Sequence, residues 1–274
     1  MRKCVTNGVK CDKINQIRSM GECSMGVQFS SVPQAYGPVH IGILVFTVVL
    51  TVVLFFVFKK VSDKKLLRLI IILGALMILA EIWKQFFVVK YVYAGEKSNW
   101  FCPWQLCSMA MYCSFSLIFL KGKAQETVLV FLSTFTILAA VMALAAPGDM
   151  LRPQIALFCH SFLYHIIMLV EAFAAMRILL RREKVRFWPS AVLFLALASV
   201  AEVINIISHR VIGEIRVEAN MFYITPYYPT TQPVLHSIAA RIGTVPYIFL
   251  YLLGIILISF GIFALEFKTR RKKK

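Results

Sequence analysis

Seven apolar runs, each close to the ~20 residues that a helix needs to cross ~30 Å of hydrocarbon, constrain this chain more than any motif in it. They fall at residues 40–58, 66–89, 104–120, 127–146, 155–180, 188–207 and 245–267 of 274. Hydrophobic residues make up 59% of the chain, too many for one water-soluble domain of this length. Only helices and closed barrels satisfy their backbone inside a bilayer, and runs of this length are helical. The expected fold is an all-α membrane protein, a seven-transmembrane helix bundle over residues 39–267. The expected location is a membrane, spanned many times, and the cell membrane if the source is bacterial. The third run carries Ser108, Ser114 and Ser116, so its neighbours are expected to bury it.

The loops between the runs set the orientation. Lys59, Lys60, Lys64, Lys65 and Arg68 follow the first run, Lys121 and Lys123 the third, and Arg181, Arg182, Lys184 and Arg186 the fifth. Lys268, Arg270, Arg271 and the three closing lysines follow the seventh. The other side has Lys90, Lys97, Arg152, Arg210, Arg216 and Arg241 in its loops, together with Arg2, Lys3, Lys10, Lys13 and Arg18 in the N-terminal head, a contrary charge that disappears if Met25 is the start. The positive-inside rule then places the N-terminus outside and residues 268–274 as a basic cytoplasmic tail. Residues 1–38 are polar, lack the apolar core of a cleavable signal, and are expected to be poorly ordered, with Met20 or Met25 as an alternative start. The loop 208–244, with Tyr223, Pro226, Tyr227 and Pro229, is expected on the outer side, as a lid at headgroup level or as a passive interfacial loop.

The formal charge of +17 invites a nucleic-acid reading. Its basic residues sit in short runs between apolar segments, however, and form no basic stripe on a soluble domain, so no nucleic-acid partner is expected. The seven cysteines build no disulfide framework, since Cys113 and Cys159 lie within apolar runs, and no paired spacing suits zinc. No phosphate-binding glycine motif is present, and no cofactor is expected. The bilayer is the expected surrounding partner; the oligomeric state stays open.

Ionisable groups in hydrocarbon cost about 2.5–3.5 kcal/mol or more and therefore face a bundle interior or a cavity. With the orientation above, His40, Glu81, Lys84, Cys107, His160, His165, Glu202 and Asn205 all fall in the outer half, and Glu171 is the main exception. A polar pocket opening toward the outer leaflet follows, lined by His40, Glu81, Cys107, His165 and Asn205. Blander readings stand beside it. Glu81 and Lys84, at i and i+3, pair on one helix face; Asn205 serves as glue between helices; a buried cysteine behaves as a small hydrophobe.

Six stretches, in this order, resemble a known family. They are Gly37-Pro38-Val39-His40, Pro103-Trp104-Gln105-Leu106-Cys107, Ala143-Leu144-Ala145-Ala146-Pro147, Phe162-Leu163-Tyr164-His165, Asn220-Met221-Phe222-Tyr223 and Pro246-Tyr247. Over residues 37–255 the chain resembles the YwaF-like integral membrane proteins, whose eukaryotic relative is a transmembrane phospholipid acyltransferase with a proposed cysteine and histidine pair. Gln105 stands where the family has a histidine two residues before the cysteine. The resemblance implies a lipid substrate and the pair Cys107 and His165. A depth count from Pro103 and Pro153 instead favours His160 as the partner of Cys107.

Three function classes remain open. In the first, Cys107 attacks an ester carbonyl, a histidine takes its proton, and Gln105 and Asn220 orient the substrate or meet the oxyanion, giving a lipid acyltransferase or ester hydrolase. His40, Glu81, His160 and Asn205 complete the expected substrate-binding set. In the second, a metal-dependent membrane hydrolase uses His40, His165, Asp149 or Cys107. In the third, the bundle is a transporter or receptor without catalysis, since fold does not imply function.

Overall fold

A computed structural model describes residues 27–92, 103–211, 219–227, 230 and 233–271. The described residues are helical apart from one isolated antiparallel bridge, between Gln28 and Gln154. Helix α1 spans Pro38–Val57 and starts with proline at its first position, where the missing N–H is harmless. Helix α2 spans Asp63–Tyr91, with Asp63 in its first turn and Lys90 in its last, the charge order that suits a helix dipole. A 3₁₀ turn, Leu106–Ser108, leads into α3, Met109–Ser116. Helix α4 covers Gly122–Ala145. Then come α5, Ile155–Leu179, and α6, Trp188–Val211; α7, Pro233–Ile242, is followed by α8, Thr244–Arg271.

Six of these, α1, α2, α4, α5, α6 and α8, are long and apolar enough to cross a bilayer. The third run of the sequence is the exception, because its apolar helical part is confined to Leu106–Ser116. At ~1.5 Å per residue that is roughly 16 Å of helix, half of a hydrocarbon core. The helical part begins two residues after the expected start and ends four residues before the expected end. Neighbours bury it, as its serines require: Met109, Ala110 and Ser114 are fully enclosed.

Helix α5 is the centre. Of its most apolar window 72% is buried, against 11% for α1 and for α8, which keep most of their side chains toward lipid. Phe131 and Phe135 of α4 stack at 5.2 Å, Phe135 stacks on Phe194 of α6 at 4.9 Å, and Phe187 meets Phe260 of α8 at 5.3 Å, an aromatic column through one half of the bundle. Within α4 the residues Leu132–Thr136 form a π turn. The buried hydroxyls there absorb the irregular backbone: Thr134 donates to the Val130 carbonyl at 2.7 Å, and Ser133 donates to Glu266 of α8 at 3.3 Å.

Residues 1–26 lie outside the described residues. From Val27 the polar head lies against the bundle: the Phe29 amide donates to the Pro153 carbonyl at 3.0 Å and the Ile155 amide to the Val27 carbonyl at 3.1 Å. The Tyr36 hydroxyl donates to the Ala145 carbonyl. These bonds close the stretch before α1 over the link between α4 and α5.

The basic loops meet at one end of the bundle. Arg181, after α5, pairs with Asp63 at the start of α2 and donates to the Phe58 and Lys59 carbonyls at 3.1 Å. Arg182 donates to Gln125 at 3.0 Å and lies 3.6 Å from Glu126, both on α4. Gln105 and the 219–225 segment lie together at the other end.

One contact fixes how far α3 sinks. A Cβ on Gly74 of α2 would lie 2.7 Å from Ser114 Cβ and 2.8 Å from the Phe115 amide nitrogen, so the two backbones touch only because the residue is glycine. Gly74→Ala is expected to force the helices apart and destabilise the protein by about 1–3 kcal/mol. The check is the thermal unfolding midpoint in detergent; an unchanged midpoint would show that the contact is dispensable.

Candidate functional site

Pro103 and Trp104 begin the described part of the α3 entrance, and the Trp104 indole donates to the Leu197 carbonyl of α6 at 3.2 Å. Gln105 is the residue before the 3₁₀ turn, and Cys107 sits inside it, half-buried and not in a disulfide. Cys107 therefore lies at the very start of the helical run. Lys84 and Glu81 of α2 lie within electrostatic reach of its sulfur. Glu81 is buried, and its Oε1 accepts from Lys84 Nζ at 2.6 Å and from Gln85 Nε2 at 2.6 Å. The i, i+3 pair expected from the sequence thus forms, and it forms beside the cysteine.

Tyr164 of α5 lies within electrostatic reach of Cys107, and Lys84 lies within electrostatic reach of both His160 and His165. The two rings are five residues apart on α5, about 7 Å along the helix and roughly 140° round it, so they face different neighbours. The ring of His160 packs on Trp83 of α2 at 6.0 Å between centroids, with Nε2 buried and unpartnered.

His165 is buried, and its Nδ1 lies 2.7 Å from the Ser161 carbonyl. A carbonyl only accepts, so Nδ1 carries a proton. Among the described residues Nε2 makes no hydrogen bond. Lys84 lies within electrostatic reach of this ring as well.

His40 stands apart. Its Nδ1 accepts from the Tyr36 amide at 2.9 Å, and its Nε2 donates to the Leu144 carbonyl at 3.0 Å. Both nitrogens are used in joining the start of α1 to the end of α4, which leaves no lone pair for a metal or a substrate proton.

Asn205, Gln105 and Asn220 make a third group. Asn205 of α6 grips the backbone of Met221 from one side, accepting from its amide at 2.7 Å and donating to its carbonyl at 3.2 Å. Gln105 grips the neighbouring groups from the other, donating to the Asn220 carbonyl at 3.0 Å and accepting from the Phe222 amide at 2.9 Å. The Asn220 side chain accepts from the Thr225 amide at 3.2 Å and so closes the loop on itself. Phe222 and Tyr223 take φ of 57° and 58°, left-handed conformations that non-glycine residues adopt only when held. The segment is a strap across the entrance of α3, and Tyr223 lies within electrostatic reach of Cys107. Burial, with the Asp149 carboxylate 3.3 Å away, holds the Tyr223 hydroxyl far above the usual phenol range and keeps it a proton donor.

The sequence-derived site residues therefore divide into three. Cys107, His160 and His165 each lie within electrostatic reach of Lys84, which pairs with Glu81. Gln105, Asn205 and Asn220 build the strap over them, and His40 ties α1 to α4. Tyr164 and Tyr223 are the site neighbours that sequence reasoning did not single out; both stand in the quoted motifs, but a tyrosine in an apolar run gives no sign of which helix it faces. Among the described residues a groove of about 430 Å³ opens beside this cluster, between α2 and α3, lined by Ile78, Glu81, Ile82, Gln85, Phe86, Val89, Pro103, Met111 and Tyr112.

The sequence profile of the TMEM164 family matches residues 35–264, from the turn before α1 to the last turns of α8, and takes in every candidate site residue. The chain belongs to the TMEM164 family. Membership makes it a multi-pass membrane protein, in keeping with the six long apolar helices. No curated protein and no solved structure matches the chain. For this TMEM164 family member the strap is the most specific construction at the site, two amides from separate helices holding three consecutive residues.

Asn205→Leu or Gln105→Leu would leave backbone groups of the strap unpaired, at about 1–3 kcal/mol for each buried group. Each variant is expected to speed proteolysis between residues 219 and 227 by roughly tenfold or more. The check is limited proteolysis of the detergent-solubilised protein with cleavage sites mapped by mass; equal rates in wild type and variants would show that the clamp does not hold the strap.

Proposed function

We propose that the protein is a lipid acyltransferase in which Cys107 is the nucleophile and His165 its base. The observation that carries the reading is Lys84, paired with the buried Glu81 and within electrostatic reach of both the Cys107 sulfur and the His165 ring, whose Nε2 makes no hydrogen bond among the described residues. The Cys107 thiol gives its proton to Nε2, and the sulfur attacks the carbonyl of a lipid ester; the C–S bond forms, the ester C–O bond breaks, and the imidazolium protonates the departing alkoxide. A lipid alcohol then gives its proton to Nε2 and attacks the thioester, and the thiolate leaves and recovers that proton. Lys84 offers a positive charge beside both sulfur and imidazole, suited to a thiolate and to a developing oxyanion. Tyr223 in the strap lies within electrostatic reach of the same sulfur, with its hydroxyl proton given to Asp149. The likeness to YwaF-like proteins and their acyltransferase relative points to the same residues. The strap favours transfer over hydrolysis, because a covered entrance keeps water from the thioester.

The reading includes a topology of seven crossings, with the N-terminus outside and the C-terminus cytoplasmic. Its support is the gathering of the loops after α1, α3 and α5 at one basic end through Arg181 and Arg182, while the strap and Gln105 lie at the other. The stretch from Gln105 to the start of α4 then runs from one end to the other as the short α3 followed by irregular chain, which is tolerable in a membrane only because neighbouring helices enclose it. The active cluster lies in the half facing outward. A metal-dependent hydrolase loses its footing with His40, whose two nitrogens are already bonded.

Incubation of the purified protein with a lipid extract is expected to add the mass of an acyl group at Cys107. Cys107→Ser should abolish nearly all turnover, His165→Ala should lower it by about 10²–10⁴-fold, and His160→Ala should lower it much less. Intact mass and transfer of a labelled acyl chain are the measurements. Turnover that survives Cys107→Ala, or that falls with His160→Ala and not with His165→Ala, would remove this mechanism.

A further inference from the structure

A buried hydroxyl without a hydrogen-bond partner has given up the bonds that water supplied, so a folded chain that keeps one needs a reason for it. Tyr164 of α5 carries such a group. The residue is only 6% exposed, and its hydroxyl oxygen is enclosed with no partner among the described residues. The ring is held by its own helix: it stacks on His160 at 5.7 Å between centroids and meets His165 edge-on at 5.9 Å. Packing therefore fixes the ring without help from the hydroxyl. Of the ionisable groups around that hydroxyl, Cys107 acts on it most strongly, ahead of Glu81, Glu171 and Tyr112.

Other donors near the sulfur are already committed. The Tyr223 hydroxyl donates to Asp149, the Trp104 indole to the Leu197 carbonyl and the Gln105 amide to the Asn220 carbonyl, while Lys84 pairs with Glu81. Acyl transfer at a thiol needs a donor that is not committed. As the C–S bond forms, the carbonyl electron pair moves onto oxygen, and the charge there has to be met where water does not reach. A phenol carries its proton at neutral pH and is a donor of this kind.

We infer that Tyr164 is a catalytic residue, the hydroxyl that donates to the oxyanion of the lipid ester during attack by Cys107. The assignment rests on the reading of Cys107 as nucleophile. The hydroxyl keeps its own proton throughout. It donates while the tetrahedral intermediate stands, and it is released when the C=O bond is restored and the ester C–O bond breaks, with the His165 imidazolium protonating the departing alkoxide. It serves again when a lipid alcohol attacks the thioester, because the charge returns to the same oxygen.

The test compares two reactions at Cys107 in the full chain, in wild type and in Tyr164→Phe, which keeps both ring contacts and loses only the hydroxyl. Acylation is read as the initial rate of adduct formation in vesicles of phosphatidylcholine with a labelled acyl chain. Alkylation is read with iodoacetamide, whose displacement of iodide develops no oxyanion. Peptide mass locates both products at Cys107. Tyr164→Phe is expected to slow acylation by about 10²–10³-fold. Its alkylation is expected to stay within about twofold of wild type, and its unfolding midpoint to be unchanged or higher. His165→Ala, which removes the base, is expected to slow both reactions. Equal slowing of both in Tyr164→Phe would overturn the inference, making the hydroxyl a support of the thiolate or of His165. A lower unfolding midpoint would overturn it as well, since the hydroxyl would then have its partner in the protein. Acylation at the wild-type rate in Tyr164→Phe removes Tyr164 from the reaction and leaves Cys107 as nucleophile. No adduct in the wild type removes the cysteine chemistry, and the role of Tyr164 with it.

Discussion

A polar group inside hydrocarbon has to find its partner within the protein, and most of the structure follows from where those partners are. The long helices satisfy their own backbones and need little else, so α1 and α8 show most of their surface to lipid. Wherever the backbone leaves the helix, side chains replace the missing bonds. The π turn of α4 is surrounded by buried hydroxyls, and the strap is gripped by Gln105 and Asn205. His40 does the same for the turn before α1 and the end of α4, with one nitrogen accepting and the other donating. Several of the polar residues that look like ligands in the sequence are in this way spent on the chain itself.

What remains unspent lies around α5. Because α5 is the most enclosed helix, its polar residues meet other helices and not lipid. Gly74 lets the backbones of α2 and α3 touch from the other side. The outcome is a concentration of chemistry: an unbridged thiol, an ammonium held by a buried carboxylate, and a buried imidazole bonded through Nδ1 alone. Deeper in the bundle the Ser114 hydroxyl and both carboxylate oxygens of Glu171 are buried without hydrogen-bond partners among the described residues.

The site also has two different covers. On one side the strap presents Tyr223 and is tied down by bonds from α3 and α6; on the other the groove between α2 and α3 is open to the bilayer. A held cover on one side and an open side on the other suit the proposed acyl transfer, in which the competing nucleophile would be water.

The sequence by itself determined the class of protein and most of its helices, because a length of apolar residues near 20 has one stable form in a bilayer whatever packs beside it. The starts and ends of α1, α2, α5 and α6 lie within a few residues of the expected runs for that reason. The pairing of Glu81 with Lys84 was legible too, being a matter of helix spacing alone. Tertiary structure decided the rest. The third run is shorter than it reads, since composition does not reveal that its helix ends at Ser116. The glue role open to Asn205 in the sequence takes the form of a grip on the Met221 backbone, while the roles of Gln105 and His40 were not legible. An amide or imidazole in an apolar run announces that it needs a partner, and only the fold says whether the partner is a substrate or the backbone of the next segment.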